Sequence, residues 1–391
     1  MPVLGAVRER FARERPLEGR RVAACLHITA ETANLVRALA AGGARVALCA
    51  ANPLSTQDDI AAALVAAHGA QVLGAHGEDR GAYERNLRAL VAGEPEILID
   101  DGAELIIAAH GHPSALEGVL GATEETRTGL VRLRAMAAQG ILRCVVLALN
   151  ETRTERIFND RYGTGQSTLD GILRATNLLL AGRAVVVLGF GSAGRGVAQR
   201  AKGAGAAVTV CEVDPVRALE ARMEGFEVMA ARAAAALGEV FITVTGAPAV
   251  LRREHFELMR DGAVLANAGH FDVEIALGEL AELAGGPPRA ALPLVDEYEL
   301  PDGRHIHVVA KGRVVNLAAA AGHPASVMDL SFAAQALAVA TIAGGECTGG
   351  PGVHAVAERV DQEVARLRLA SLRIEIDTLT DAQERYLRPF R

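Results

Sequence analysis

The run Gly189-Phe190-Gly191-Ser192-Ala193-Gly194 follows an apolar stretch at 184–188 and opens a helix-like run at 194–205. In such a setting the first glycine permits a tight turn, the second lets the backbone approach a pyrophosphate, and the third packs helix on strand. The helix N-terminus stabilises the phosphate charge. The next apolar run ends at Glu212, 23 residues after Gly189. A carboxylate there accepts hydrogen bonds from an adenosine ribose diol and repels a 2′-phosphate. Strand, glycines, helix, strand and acid in register point to NAD as cofactor. Arg217 would favour a 2′-phosphate, but Glu212 outranks it.

Other clusters carry less chemistry. His305-Ile306-His307 puts two imidazoles on one face of a strand, because side chains alternate, and no third ligand accompanies them. His110 and His112 are similar, so no metal site is expected. Cys25, Cys49, Cys144, Cys211 and Cys347 are scattered, odd in number and without a CxxC pair. They read as buried thiols in a reducing compartment, not as disulfides or a zinc site.

The elements that must position these residues alternate. Apolar runs at 22–29, 44–50, 71–76 and 96–102 read as strands, with a helix at 32–43 closed by glycine. A helix at 168–180 precedes a second series with strands near 184, 206, 241 and 263. Strands separated by helices of about ten residues imply βαβ units and parallel sheets. After His323 the pattern reads as helical to the end, with a buried helix at 331–345 and an amphipathic one at 355–372. At about 150 residues per domain, 391 residues fit two or three domains. Hydrophobic residues at 50% and charged ones at 22% exclude disorder as the main state. Aromatics are only 3%, so Ala, Val, Leu and Gly must build the cores. A net charge of -7 without a basic stripe argues against nucleic acid or an anionic membrane as partner. The charged N-terminus excludes a signal-peptide core, and the apolar run at 175–191 is broken by Arg183, so a cytoplasmic protein is expected.

Beyond the glycine loop, several stretches resemble the S-adenosylhomocysteine hydrolase family. They are CLHITAET (25–32), STQD (55–58), IDDG (99–102), EETRTG (124–129), YGTGQSTLDGILRAT (162–176), NAGHFDVEI (267–275) and VVNLAAAAGHPASVMDLSF (314–332). They keep family order from about residue 20 to 385. The resemblance implies an α/β fold with two doubly wound parallel-sheet domains and a C-terminal helical segment. The substrate domain would take 1–158 and 323–352, an inserted Rossmann NAD domain 159–322, and a helical oligomerisation segment 353–391. It also implies a homo-oligomer, dimer or tetramer, acting on an adenine nucleoside. In the family chemistry a ribose 3′-hydroxyl is transiently oxidised with NAD+, the C4′ proton becomes acidic, and the group on C5′ leaves.

Carried over by motif, the catalytic set is His27, Asp101, Glu125, Glu155, Asn159 and His270. His27 would be acid or base at C5′, Asp101 the carboxylate near C4′, and Glu125 the holder of ribose hydroxyls. Thr29, Glu31, Thr32, His323, Met328 and Phe332 would bind substrate, with Glu31 and the backbone at His323 reading the adenine edge. Thr126, Arg127, Thr128, Asp160, Gly189, Gly191, Ser192, Ala193 and Gly194 would hold NAD. So would Glu212, Arg217, Thr245, Gly246, Asn267, Gly269 and Asn316.

The departures from the family gather at the sugar. Its lysine position holds Glu155, its aspartate position Asn159 and its cysteine position Thr164, while Arg127 interrupts a threonine triplet. The chain ends at Tyr386-Leu-Arg-Pro-Phe-Arg391 without the family's Lys- and Tyr-containing arm, from which looser NAD binding is expected. A retained elimination apparatus beside a remodelled sugar site suggests loss of water from a different adenine nucleoside. This reading is a nucleoside dehydratase of antibiotic biosynthesis. Two other readings stand beside it: a true S-adenosylhomocysteine hydrolase, and an inactive nucleoside- or NAD-binding paralogue.

Overall fold

The structure is a computed structural model that describes residues 1–347 and 349–387. Two sheets organise it. The first contains β1 (Arg21–Leu26), β2 (Arg45–Ala50), β3 (Gln71–Leu73), β4 (Ile97–Asp100), β5 (Gly121–Glu124) and β6 (Val145–Ala148). The second contains β7 (Ala184–Leu188), β8 (Ala207–Cys211), β9 (Glu227–Val228), β10 (Val240–Thr243) and β11 (Ala263–Asn267). It continues with β12 (Arg289–Leu292), β13 (Val295–Glu299) and β14 (His305–Val309). The central strands are apolar nearly throughout and buried on both faces, as sheets covered by crossover helices require.

The first sheet runs β15-β6-β5-β4-β1-β2-β3, where β15 is Gly352–Ala355, and every pairing in it is parallel. The second runs β12-β13-β14-β11-β10-β7-β8-β9, with antiparallel pairing only at β12–β13–β14. Strand order reverses at β1/β4 in the first sheet and at β7/β10 in the second. Open α/β sheets form crevices beyond the carboxyl ends of strands at such switch points. The glycine loop and the His27 and Asp101 segments therefore all emerge at crevices.

Two expectations change. β15 adds a strand to the first sheet where the sequence reads as helix, because a short edge strand carries little periodicity of its own. The helix expected at 168–180 spans Gly165–Thr176 and ends where Asn177 adopts a left-handed φ of 54°. It continues from a π-helical stretch, Glu155–Thr164, that connects the two sheets. π-Helix is rare and recurs at functional sites.

The helix Ala325–Ala343 is long and apolar enough to cross a membrane by length and composition, with mean hydropathy 1.5, yet is mostly buried in the fold. Its Asp329 accepts the N–H groups of Val3 (3.1 Å) and Leu4 (2.9 Å), which caps the N-terminal helix Pro2–Glu14. His305 and His307 pair with Asp261 and Glu297 as ordinary strand polar groups. Cys25, Cys49, Cys144 and Cys211 are buried, and all five cysteines are free.

Candidate active site

A cavity of about 300 Å³ lies between the strand ends of the two sheets. From the first sheet come Leu26 at the end of β1, His27 just beyond it, Asp101 beyond β4, and Glu125 beyond β5. Thr126, Arg127 and Thr128 follow Glu125. From the second come Gly191, Ser192, Ala193 and Gly194 beyond β7, Thr245 and Gly246 beyond β10, and Gly269 and His270 beyond β11. The connector supplies Glu155, Asn159 and Asp160. Thr29, Glu31, Thr32, Asn316, His323, Met328 and Phe332 also line it. His270 bridges the two halves, its Nε2 lying 3.4 Å from where a side chain on Gly102 would begin.

His27 is oriented by hydrogen bonds that fix its tautomer. Ser55 Oγ donates to Asn52 O at 2.8 Å. It therefore accepts from His27 Nδ1 at 2.5 Å, which leaves Nε2 facing Asp101 Oδ2 at 3.4 Å. A proton that Asp101 takes up can pass to this unprotonated Nε2, which makes the pair competent as acid or base. Burial lowers the His27 pKa against the opposing pull of Asp101, so the imidazole is neutral at neutral pH. His323 is lowered further, to about 4, again by burial and with His27 adding to it. Thr164 Oγ1 lies 3.1 Å from its Nε2.

The loop carrying Asp101 is held by two buried carboxylates. Asp100 accepts from Asp101 N (3.0 Å) and Ile106 N (2.7 Å). Glu124 accepts from Gly102 N (2.9 Å), Ala103 N (2.9 Å), Thr126 N (2.8 Å) and Thr126 Oγ1 (2.7 Å). Glu274 likewise holds Thr245 and Gly246 through their N–H groups, at 2.9 and 2.7 Å. These supports escaped the sequence reading. The signal was present, since Asp100 and Glu124 adjoin residues already singled out and Glu274 lies within the 267–275 stretch.

Three carboxyl groups in the cavity are shifted toward their neutral forms. Burial pushes Glu125 well above the usual carboxylate range, with Asp101, Glu155 and Glu124 adding to it. Burial pushes Glu155 up to about 8; Asp160 and Asp361 add to the shift, and a Ser331 hydrogen bond opposes it. Asp160 rises to about 6 by burial, held back by Arg156, Arg127 and Asn150. For an acid with a raised native pKa, the folded state keeps a proton that the unfolded chain releases. Stability then falls as pH rises from the ordinary value through the native one. The thermal midpoint of the ligand-free protein is therefore expected to fall between about pH 5 and pH 8. Glu155→Gln is expected to flatten that slope by several degrees in a pH series of melting curves.

Four of the expected ligands do not line the cavity: Gly189, Glu212, Arg217 and Asn267. Gly189 makes the tight turn with φ +107°. Glu212 accepts from Phe190 N (2.6 Å), Val213 N (2.7 Å) and Asp214 N (3.0 Å), so it braces the glycine loop from outside. Asn267 is saturated internally. Its amide donates to the carbonyls of Gly269, Phe271 and Gly312, and its oxygen accepts from Thr243 and Gly269. It is a lock on the His270 loop, not a cavity-facing ligand. Arg217 Nη1 lies 3.8 Å from where a side chain on Gly191 would begin. Asn150 and Val244 line the cavity without having been singled out. Each closely follows the carboxyl end of a strand, β6 or β10, which is the topological signal that would have found them.

The residues fit a dinucleotide and a sugar. At Gly191 the nearest atoms to where a side chain would begin are the guanidinium groups of Arg217 and Arg127, 3.8 and 3.9 Å away, which leaves open space against the loop there. Asp101 Oδ1, Glu125 Oε1, Glu155 Oε1 and Asn316 Oδ1 are buried polar atoms without a hydrogen-bond partner among the described residues. Such orphans are rare unless a ligand completes them.

Comparison with known proteins agrees. The model of the S-adenosyl-L-homocysteine hydrolase NAD-binding domain matches residues 160–322, and that of S-adenosyl-L-homocysteine hydrolase matches 1–114. An adenosylhomocysteinase of Aquifex aeolicus is 55% identical over 99% of this chain and 93% of that protein. The chain belongs to the S-adenosyl-L-homocysteine hydrolase family. Another adenosylhomocysteinase, from Gloeobacter violaceus, is 52% identical over 99% of this chain and 90% of that protein. An S-inosyl-L-homocysteine hydrolase of Methanopyrus kandleri is 51% identical over 99% of this chain and 92% of that protein. The family's NAD domain supports NAD as cofactor. The dehydratase reading is corrected: relatives this similar over the whole chain carry hydrolase names. The charge reversal at Glu155 that prompted it is offset by burial, because a carboxyl group with a pKa of about 8 is largely neutral at pH 7.

Proposed function

We propose that the protein hydrolyses S-adenosylhomocysteine to adenosine and homocysteine. The observation that carries this is one cavity joining the glycine loop to the His27–Asp101 pair and the orphaned oxygens of Glu125 and Glu155. NAD held there supplies a reversible hydride acceptor, so no net oxidation accumulates. The N–H groups at 191–194 and the Arg127 guanidinium would hold its phosphates. Glu125, as a neutral acid, donates to one ribose hydroxyl and accepts from the other. The chain has two lysines, Lys202 and Lys311. Lys202 bonds the carbonyls of Glu224 and Gly225, and neither lysine lines the cavity. Glu155 is therefore the group placed to accept, in its ionised form, the proton of the hydroxyl undergoing oxidation. Asp101 takes the C4′ proton once the neighbouring carbon is a ketone. Asp101 passes that proton to His27 Nε2, from which the departing thiolate takes it; the emptied Nε2 then accepts the proton of the water that adds at C5′ and returns it through Asp101 to C4′.

The M. kandleri relative raises a second reading, S-inosylhomocysteine as substrate. Glu31 lines the base end of the cavity, and a carboxylate accepts hydrogen bonds. It suits the 6-amino group of adenine and opposes the 6-oxo group of hypoxanthine. Thiol release measured with both substrates decides between them: preference for the adenosyl compound supports the first reading, and preference for the inosyl compound the second.

A further inference from the structure

We propose that Asp361, on the C-terminal helix Glu358–Ser371, is a positioning residue for Glu155. The inference rests on the reading of Glu155 given above. Asp361 Oδ2 accepts from Arg153 N at 2.8 Å, and its Oδ1 accepts from Thr154 N at 3.0 Å and Thr154 Oγ1 at 2.6 Å. These N–H groups lie just ahead of the π-helical connector, where helix donors have no partner of their own. The next residue is Glu155, the first of that connector. Thr152 Oγ1 accepts from Glu155 N at 3.3 Å and lies 3.3 Å from Thr154 Oγ1, so the network is continuous from Asp361 to the Glu155 backbone. Thr152, Thr154 and Glu155 are all buried, where losing a charged acceptor leaves donors unsatisfied.

The far side of the connector is fixed independently. Asn159 Nδ2 donates to Ser331 Oγ at 3.0 Å, on the core helix Ala325–Ala343. The start of the connector is thus anchored to the helix Glu358–Ser371 and its middle to the core helix Ala325–Ala343. The helix that bears Asp361 is seated in the core by Val360 and Val364. A remote helix thereby sets the height of the Glu155 carboxyl in the cavity. The ionisable groups around Glu155 are Asp160 on its own element, Glu125 beyond β5, and Asp361. All three are acids, and the Asp361 charge favours the protonated form of Glu155.

The test compares Asp361→Asn, Asp361→Ala and Glu155→Gln in NAD-loaded protein. Asp361→Asn keeps the shape and one acceptor oxygen but removes the charge. In Asp361→Ala, kcat for S-adenosylhomocysteine is expected to fall about ten- to hundredfold with KM changed less than about threefold, the size of one charge-assisted hydrogen bond. In Asp361→Asn, partial activity is expected, with the pH dependence of kcat displaced to lower pH as Glu155 loses its acidic neighbour. A Glu155→Gln protein as active as the unaltered one overturns the reading of Glu155 and the inference with it. An impaired Glu155→Gln beside Asp361 variants of unaltered kcat and pH profile overturns the inference alone. So does a lowered melting temperature as the only effect of both Asp361 variants. If Asp361→Ala does not fold, the pH profile of Asp361→Asn decides.

Discussion

Turnover of S-adenosylhomocysteine by a His27→Gln protein is expected to fall about 10²- to 10⁴-fold, the range associated with losing a positioned acid–base group. The structure makes the substitution specific. Ser55 and Asn52 fix the ring so that Nε2 faces Asp101, and burial keeps it neutral. Glutamine retains a donor toward Ser55 but no group able to exchange a proton at C5′. Oxidation at the sugar does not use the imidazole. The absorbance of reduced nicotinamide should therefore still appear on mixing with nucleoside, while thiol release stalls. Rapid-mixing absorbance alongside thiol titration checks both halves, and loss of the absorbance together with thiol release would contradict the assigned role.

The second large effect concerns the phosphate loop. A Cβ on Gly194 would lie 2.1 Å from Gly189 O and 2.8 Å from Gly189 C. Those atoms are backbone, so Gly194→Ala must displace the loop. Overpacking of about 1–3 kcal/mol follows, which at its upper end corresponds to about a hundredfold in affinity if paid on cofactor binding. Gly191 offers the contrast. Its φ of -72° suits alanine and its nearest neighbours are guanidinium groups at 3.8 and 3.9 Å, so the ligand-free fold has room for a methyl group. Gly191→Ala should leave the ligand-free melting temperature unchanged yet weaken NAD binding by intruding on the pyrophosphate. Gly194→Ala should lower both. Calorimetric titration with NAD and melting curves of the two variants distinguish these outcomes.

The parts legible in the sequence were those that periodicity and spacing encode. The alternating apolar runs led to the two sheets, and the glycine loop with its preceding strand led to β7 and the second switch point. What stayed hidden depended on burial and distant pairing. Asn267 lies in a run that reads as ligand, but only the fold shows its amide spent on Gly269, Phe271 and Gly312. Glu124 and Glu274 look like neighbours of functional residues and serve as their supports. The four-residue β15 follows helix-like sequence and is defined by its pairing with β6. Glu155 is the most instructive case. Its type suggests a negative charge where the family carries a lysine, and from that followed the expectation of a different reaction. Burial favours its neutral form, so a substitution that reverses formal charge can still leave a proton carrier in place.

The most direct test of the central claim is hydrolysis of S-adenosylhomocysteine by the NAD-loaded protein in oxygen-18 water, with both products weighed by mass spectrometry. Elimination followed by addition of water at C5′ predicts equal amounts of homocysteine and adenosine over many turnovers, each adenosine carrying one heavy oxygen. Absence of thiol release, adenosine without the label, or a nucleoside lighter by one water would contradict it.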